Sequence, residues 1–356
     1  MTIRKSVIIL VLATIVIVFQ QCSKSDSGSG TTPTATVTQP TLPATAYNYN
    51  VSLPAHIQNA LVLNDNTPGN NAITNDGATL GRVLFYDKNL SKNNTVSCGS
   101  CHKAATSFSD PAVLSKGFAG GLTTRHSMAL LNARFYKSGK MFWDERSPSL
   151  EKQALQPIQN TVEMGLTLAA LESKVSSLNY YPALFQKAFG STQIDSVKIG
   201  MAIAQFVRSI ITYQSKYDLV KQGLATFTPD EAAGEQLFLT APPPPPGPGP
   251  VPSACAGCHT PPMFITSQPL APFGLLDPTD GGILNQHRFK SGSLRNIANT
   301  APYFHNGSVP TLTALLSTGI PAHSVPPPDV AKMLAFLQTL TDNSVTTEVR
   351  FSDPFK

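Results

Sequence analysis

Two five-residue stretches, Cys98-Gly-Ser-Cys-His102 and Cys255-Ala-Gly-Cys-His259, constrain this chain more than anything else in it. Each has the spacing C-x-x-C-H by which a haem is attached covalently. The two thiols close thioether bonds on the porphyrin edge, and the imidazole turns under the iron as proximal ligand. Cysteine pairs at this spacing also serve zinc and redox chemistry. Here four of the five cysteines fall into two such windows, each ending in His, which points to two covalently bound haems c. The expected ligand sets are Cys98, Cys101 and His102 for the first haem, and Cys255, Cys258 and His259 for the second. With 356 residues and one motif in each half, the chain reads as two domains. A hydrophobic content of 41% supports real cores, and 13% charged residues suits an interior filled by porphyrin. The net charge of +5 comes without Lys/Arg runs, so nucleic acid is not implied.

At the N-terminus, Arg4 and Lys5 precede an apolar run from Val7 to Phe19, then Cys22. A bilayer takes about 20 apolar residues to span, so this shorter run fits the core of a secretory signal. Cys22 and the Ser/Gly-rich stretch after it resemble a bacterial lipoprotein signal, in which that cysteine is lipidated and the preceding segment removed. Gln20 and Gln21 replace the small residues usual before such a cysteine, and an uncleaved N-terminal anchor is the alternative. The expectation is therefore a signal over 1–21, lipidation at Cys22, and a location in the periplasm or cell envelope. Attachment of c-type haem outside the cytoplasm points the same way. One anchor and two haems account for all five cysteines, with no disulfide left.

Residues 22–47 are rich in Ser, Gly, Thr and Pro and read as a flexible tether. Beyond them the apolar spacing is helical. Asn75 is placed to cap a helix with Leu80, Val83 and Leu84 on one face. Ser147-Pro148 opens a short helix that holds Gln153 and stops at Pro157, Thr167 caps another, and a further one ends at Gly190. Asp195 to Tyr217 reads as one long helix, and Thr228-Pro-Asp-Glu231 as a capping box. No period-two stretch competes, so the expected fold is all-α. A weak repeat, Gly81-x-x-Leu-Phe85 and Gly234-x-x-Leu-Phe238, precedes the two haem motifs. It suggests two tandem cytochrome-c-like domains, 48–217 and 218–356. A proline tract from Pro242 to Pro246 stands as a stiff spacer before the second motif.

Each motif supplies one axial ligand, and what lies opposite decides the chemistry. A second protein ligand makes an electron carrier, and an open position lets iron bind peroxide or oxygen. Phe142-Trp-Asp-Glu-Arg146, Gln153, Val162-Glu-Met-Gly165, Ser293-Leu-Arg-Asn296 and Thr300-Ala-Pro-Tyr-Phe-His-Asn-Gly307 resemble the bacterial di-haem cytochrome c peroxidase family, which includes the MauG-type enzymes. The resemblance runs from about Asp76 to Asp342. It implies that the first haem is the low-potential peroxidatic one, with Glu163 as distal acid and base and Gln153 beside it. It implies that Trp143, the only tryptophan, carries electrons between the haems, and that the second haem is the higher-potential entry site. The proton shuttle suits a carboxyl group in an apolar pocket. Peroxide must lose a proton from one oxygen and gain one on the other before the O–O bond breaks.

Two departures from the family pattern stand out. The usual axial Met of the second haem is missing, its position being Gly319, and His323 is the nearest strong ligand. A His/His haem has a lower potential than a His/Met one. The loop 110–121 also lacks the histidine by which many relatives block the peroxidatic iron until activation. His126 stands where many relatives carry a calcium-binding asparagine, while the carbonyls of Thr300 and Pro302 match the other calcium positions.

The expected function is thus a cytochrome c peroxidase fed by a small cytochrome or cupredoxin, with two haems c and a possible calcium ion. Relatives are often homodimers. The alternatives are a MauG-like oxidase of a protein or organic substrate, and a di-haem electron carrier without chemistry of its own. The last leaves Gln153 and Glu163 without a role.

Overall fold

Thr74 ends an extended segment, and its hydroxyl accepts a hydrogen bond from the Gly77 amide at 3.0 Å. It thereby caps the helix that Asn75 had been expected to cap. Asn75 is the first helical residue, and its side-chain oxygen takes the Tyr49 amide instead. The computed structural model describes residues 38–241, 254–265, 279–320 and 323–356. The expected signal, Cys22, most of the tether and the proline tract lie outside them.

The longer helices are α1 (Ala55–Asn64), α2 (Asn75–Tyr86), α3 (Cys98–Cys101), α4 (Leu150–Gln153), α5 (Gln156–Gln159), α6 (Leu168–Ser177) and α7 (Tyr181–Phe189). They continue with α8 (Ser196–Ser209), α9 (Lys216–Lys221), α10 (Pro229–Leu239), α11 (Leu312–Ser317), α12 (Val330–Thr339) and α13 (Ser344–Thr347). Among the described residues only isolated bridges stand in place of strands, so the fold is helical without a sheet.

Two boundaries differ from expectation, and tertiary hydrogen bonds explain both. Ser149, not Ser147, caps α4, because Ser147 is held extended by its pairing with Met141. The long helix expected from Asp195 to Tyr217 stops at Ser209. Asn132 captures the chain there, its amide bonding Ile210 O at 2.9 Å and its side-chain oxygen taking Thr212 N at 3.1 Å. Asp342 then holds the amides of Tyr213 and Gln214, each at 2.9 Å, before Ser215 caps α9.

Helix α2 crosses α8, and α10 crosses α12 in the same way. A side chain at Gly81 would collide with the Ala202 carbonyl and Phe206, and one at Gly234 with the Lys332 carbonyl and Phe336. The repeated glycine is the close-approach point of each crossing. Phe206 belongs to the core that packs Phe85, Phe108 and Ile158, and Phe336 to the one that packs Phe238, Phe264 and Leu340.

The repetition extends beyond these helices. Met141 bridges Ser147 and Tyr303 bridges Val309, closing two similar loops. Phe142 and Phe304 take matching left-handed backbones (φ 71° and 69°), as do Asn132 and Asn296 (φ 60° and 59°). Ser149 and Thr311 then cap the helices that follow. In this register Trp143 of the first loop corresponds to His305 of the second. Residues Gln39–Lys356 form one compact unit, tied across its length by the chain ends. Tyr86 Oη donates to Phe351 O at 2.6 Å, Arg82 Nε to Ser352 O at 2.7 Å, and His56 pairs with Asp218 at 2.9 Å.

Candidate functional site

The first motif folds as the single turn α3. The Ser97 amide donates to Ser100 Oγ at 3.0 Å, and the His102 amide to Cys98 O at 2.9 Å. Residues three apart on a helix share a face, so the turn sets both thiols on one side. The His102 Nδ1 lies 3.2 Å from Phe108 O. With its proton there, Nε2 keeps a lone pair for a metal. Burial holds the ring neutral, pulling its pKa down to about 4.

His102 lines a cavity of ≈ 460 Å³ together with Trp143, Gln153, Glu163, Arg125 and Arg146. Cys98 reaches the same neighbourhood. Burial, with the charges of Cys101 and Glu163 adding to it, pushes its thiol up to about 12. Glu163 stands on a loop held from two sides. The Asn160 side-chain oxygen accepts the amides of Val162 (2.8 Å) and Glu163 (3.2 Å), and Phe118 N donates to Glu163 O at 2.9 Å. The 110–121 loop lies so close that a side chain at Gly117 would overlap Val162 O. Burial raises the Glu163 pKa, and the positive charge of Arg146 opposes it.

The second cavity, ≈ 220 Å³, is lined by Cys255, Cys258, His259 and His323 among apolar side chains such as Phe238 and Met333. Thr300, Pro302, Tyr303 and His305 line it too. Burial pulls the His259 pKa down to about 4, and the nearby His323 adds to the effect. The His323 ring stands edge-on to Phe304, centroids 5.3 Å apart. His259 Nδ1 is buried, and the backbone of Phe264 and Gly292 faces the ring. Tyr303 Oη donates to Ile297 O at 2.9 Å.

Trp143 lines both cavities, and so do His126 and Lys290. The indole Nε1 donates to His126 O at 2.7 Å, His126 N to His305 O at 2.7 Å, and Lys290 N to Trp143 O at 2.8 Å. These backbone links fix the wall between the two chambers. The His126 ring is engaged with the 110–121 loop, its Nδ1 3.1 Å from Val113 O. Arg125, which lines the first cavity, ties this wall to Asp280 and Asp144, each at 2.6 Å. Sequence reasoning missed Arg125, and Lys290 more so. Lys290 is buried in an irregular stretch, where no periodicity marks burial.

Both cavities are many times the ~30 Å³ of a water molecule, so neither is a packing fault. The second is lined by a thiol pair three residues apart and a neutral imidazole, and the first by the neutral imidazole of His102, which directly follows its own thiol pair in the chain; these are the donors of a covalently held haem. The family model for di-haem cytochrome c peroxidase matches residues 75–226, and a RoxA-like, cytochrome c-like model matches residues 290–320. Cytochrome c551 peroxidase of Nitrosomonas europaea is 33% identical over 284 residues, covering 75% of this chain and 80% of that protein. The chain belongs to the di-haem cytochrome c peroxidase family.

Its relatives in this family include MauG of Methylophilus methylotrophus, 28% identical over 70% of this chain and 73% of that protein. The crystal structure of a MauG-like protein associated with microbial copper homeostasis superposes with a TM-score of 0.75. It is 29% identical, over 87% of this chain and 100% of that one. Family membership makes the chain a haem c oxidoreductase. Among the described residues no helix is long and apolar enough to cross a membrane.

Proposed function

We propose that this chain reduces hydrogen peroxide to water, with electrons entering at the haem on Cys255, Cys258 and His259 and used at the haem on Cys98, Cys101 and His102. The observation that carries this reading is the half-buried Glu163 carboxyl, with its raised pKa, in the same cavity as His102 and Gln153. Bound haem supplies an iron that exchanges electrons and offers peroxide a coordination position. Glu163 takes the proton from one peroxide oxygen and returns it to the other. Gln153 orients the peroxide through its amide. Trp143, lining both cavities, passes the electrons, two of which with two protons turn one peroxide into two waters.

The loop at 110–121 carries no histidine and is tied down by its own bonds, Ser115 Oγ to Asp110 at 2.7 Å among them. We therefore read the peroxidatic site as open without reductive activation. His323 shares a cavity with His259 and would hold the iron of the second haem together with it. Calcium would be held by the carbonyls of Thr300 and Pro302, since carbonyl oxygens suit that hard cation. Among the described residues no group of three or more His, Cys, Asp or Glu is placed to hold a metal ion. The reading keeps two haem domains, 48–217 and 218–356, lipidation at Cys22, a cell-envelope location, a small cytochrome or cupredoxin as donor, and a homodimer.

The test is the absorption spectrum of the fully oxidised protein before and after peroxide. A high-spin band that changes on addition, about 10²- to 10⁴-fold more slowly in Glu163→Gln, is the expected result. Two low-spin haems that ignore peroxide before and after half-reduction would leave an electron carrier. The resemblance to MauG-like proteins favours one second reading, oxidation of a protein or organic substrate. It predicts that a reduced small cytochrome fails to support peroxide turnover.

A further inference from the structure

Tyr136 is buried, with 1% of its surface exposed, and its hydroxyl donates to the Glu145 carboxylate, which is buried as well. The Lys290 Nζ lies over the phenol ring, 3.7 Å from its centroid, and donates to Lys140 O at 3.1 Å. Nothing in the peroxide chemistry above uses this buried phenol, carboxylate and lysine. The cluster nevertheless adjoins the wall between the cavities. Glu145 is two residues from Trp143, and the Lys290 amide bonds the Trp143 carbonyl.

The backbone marks Glu145 as unusual. It holds a left-handed φ of 56°, which disfavours any residue with a side chain. In the matching loop of the second half, the corresponding residue is Gly307, at φ 63°. Where the fold repeats itself with glycine, this loop keeps a glutamate and turns its carboxylate onto a buried phenol. Strain held in this way gathers at functional positions.

We infer that Tyr136 is a one-electron donor to oxidised Trp143, with the Glu145 carboxylate receiving the phenol proton. The inference rests on the peroxidase reading, which supplies peroxide as the oxidant. A phenol that loses an electron becomes a strong acid, so in a dry site the electron leaves easily only if a base takes the proton. Glu145 is that base, already hydrogen-bonded to the hydroxyl. Burial pulls the Lys290 pKa down to about 7, the charge of Glu145 opposing this, and in its charged form Lys290, lying over the ring, opposes removal of an electron. Only a strong oxidant such as an electron-deficient indole then draws on Tyr136.

The balance is simple. Peroxide takes two electrons and two protons to give two waters. When the donor has delivered only one electron, the second comes through Trp143 from Tyr136, leaving a neutral phenoxyl radical and a protonated Glu145. The next donor electron restores the phenolate, and Glu145 returns the proton. Tyr136 thus holds an oxidising equivalent that would otherwise damage the peroxide site.

The test mixes the oxidised holoprotein with peroxide and no donor, freezes the samples, and records electron paramagnetic resonance and absorption on each. The expected result is a tyrosyl signal that narrows with ring-deuterated tyrosine and is absent in Tyr136→Phe. In Glu145→Gln it should fall by roughly tenfold or more while the absorption change persists. An absorption change with no tyrosyl signal, or with the same signal in Tyr136→Phe, overturns the inference and leaves the peroxidase reading standing. If Tyr136→Phe does not fold, a ring-fluorinated tyrosine placed at 136 serves instead. Fluorine splitting supports the inference and an unsplit signal overturns it. If peroxide leaves the absorption unchanged, the peroxidase reading fails, and a photogenerated ruthenium(III) polypyridyl oxidant replaces peroxide. A radical on Tyr136 then supports this inference by itself, and its absence overturns it.

Discussion

Two opposed influences act on the Glu163 carboxyl: burial raises its pKa, and the charge of Arg146 lowers it. Arg146 is held for this by Phe142, its guanidinium 3.6 Å from the ring centroid, and by Asp144 at 2.8 Å. In our reading the ionised carboxylate begins the reaction. The rate should therefore be full above the raised pKa and fall as pH drops through it. Arg146→Ala removes the influence that lowers the pKa, so the acid limb of the pH–rate profile is expected to move to higher pH. The alkaline plateau should change little. Arg146 is half exposed, and solvent screening keeps the shift modest. An acid limb that does not move would belong to another group. Glu163 and Gln153 could be picked out from the sequence because the motifs around them are specific. The influence of Arg146 could not, because it depends on the left-handed turns at Phe142 and Glu145 that bring the chain back on itself.

The same contrast between local and tertiary signals holds for the helices. Thr167, Gly190 and the Thr228 capping box mark their ends by chemistry confined to a few neighbours, and the structure ends those helices there. The end of α8 at Ser209 depends on Asn132, far away in sequence, and no local pattern announces it. The Gly-x-x-Leu-Phe repeat was visible as a pattern, but its purpose was not. The partner helices α8 and α12 share only a spaced Phe, Phe206 and Phe336, that meets each glycine. Filling either crossing forces the helices apart, and overpacking of this kind costs typically 1–3 kcal/mol. Gly81→Ala and Gly234→Ala are each expected to destabilise the protein by about that much in denaturant unfolding. Gly81→Ala should disturb the haem bands of the His102 site first, and Gly234→Ala those of the His259 site. A Gly81→Ala protein as stable as the parent would show that the crossing opens at little cost.

At the scale of the whole molecule, the chain ends cross between the halves. Helix α1 packs with Phe135, Ile211 and Met263, so an N-terminal element helps cover the side chains around the second motif. The C-terminal segment returns to the first core, where Phe351 lies 1% exposed, edge-on to Tyr49 at 6.4 Å and to Phe108 at 6.4 Å. Phe108 is the residue whose carbonyl faces His102 Nδ1. The last turns of the chain thus support the proximal side of the first site, although more than 240 residues separate Phe351 from His102. Truncating a buried Phe to Ala costs about 3–5 kcal/mol, through lost transfer energy and the cavity left behind. Phe351→Ala is expected to lose stability in that range. It should also loosen Phe108, weaken the hydrogen bond that fixes the His102 ring, and broaden the absorption band of the haem at the first motif. The band of the second should keep its shape, since among the described residues Phe351 belongs to the core around Phe85 and Phe108 and not to the Phe336 core. Absorption spectra of the folded variant, taken before any unfolding, read this directly. Equal changes at both haems would mean that the unit answers as a whole, and no change at either would mean that Phe108 is held by the first core alone.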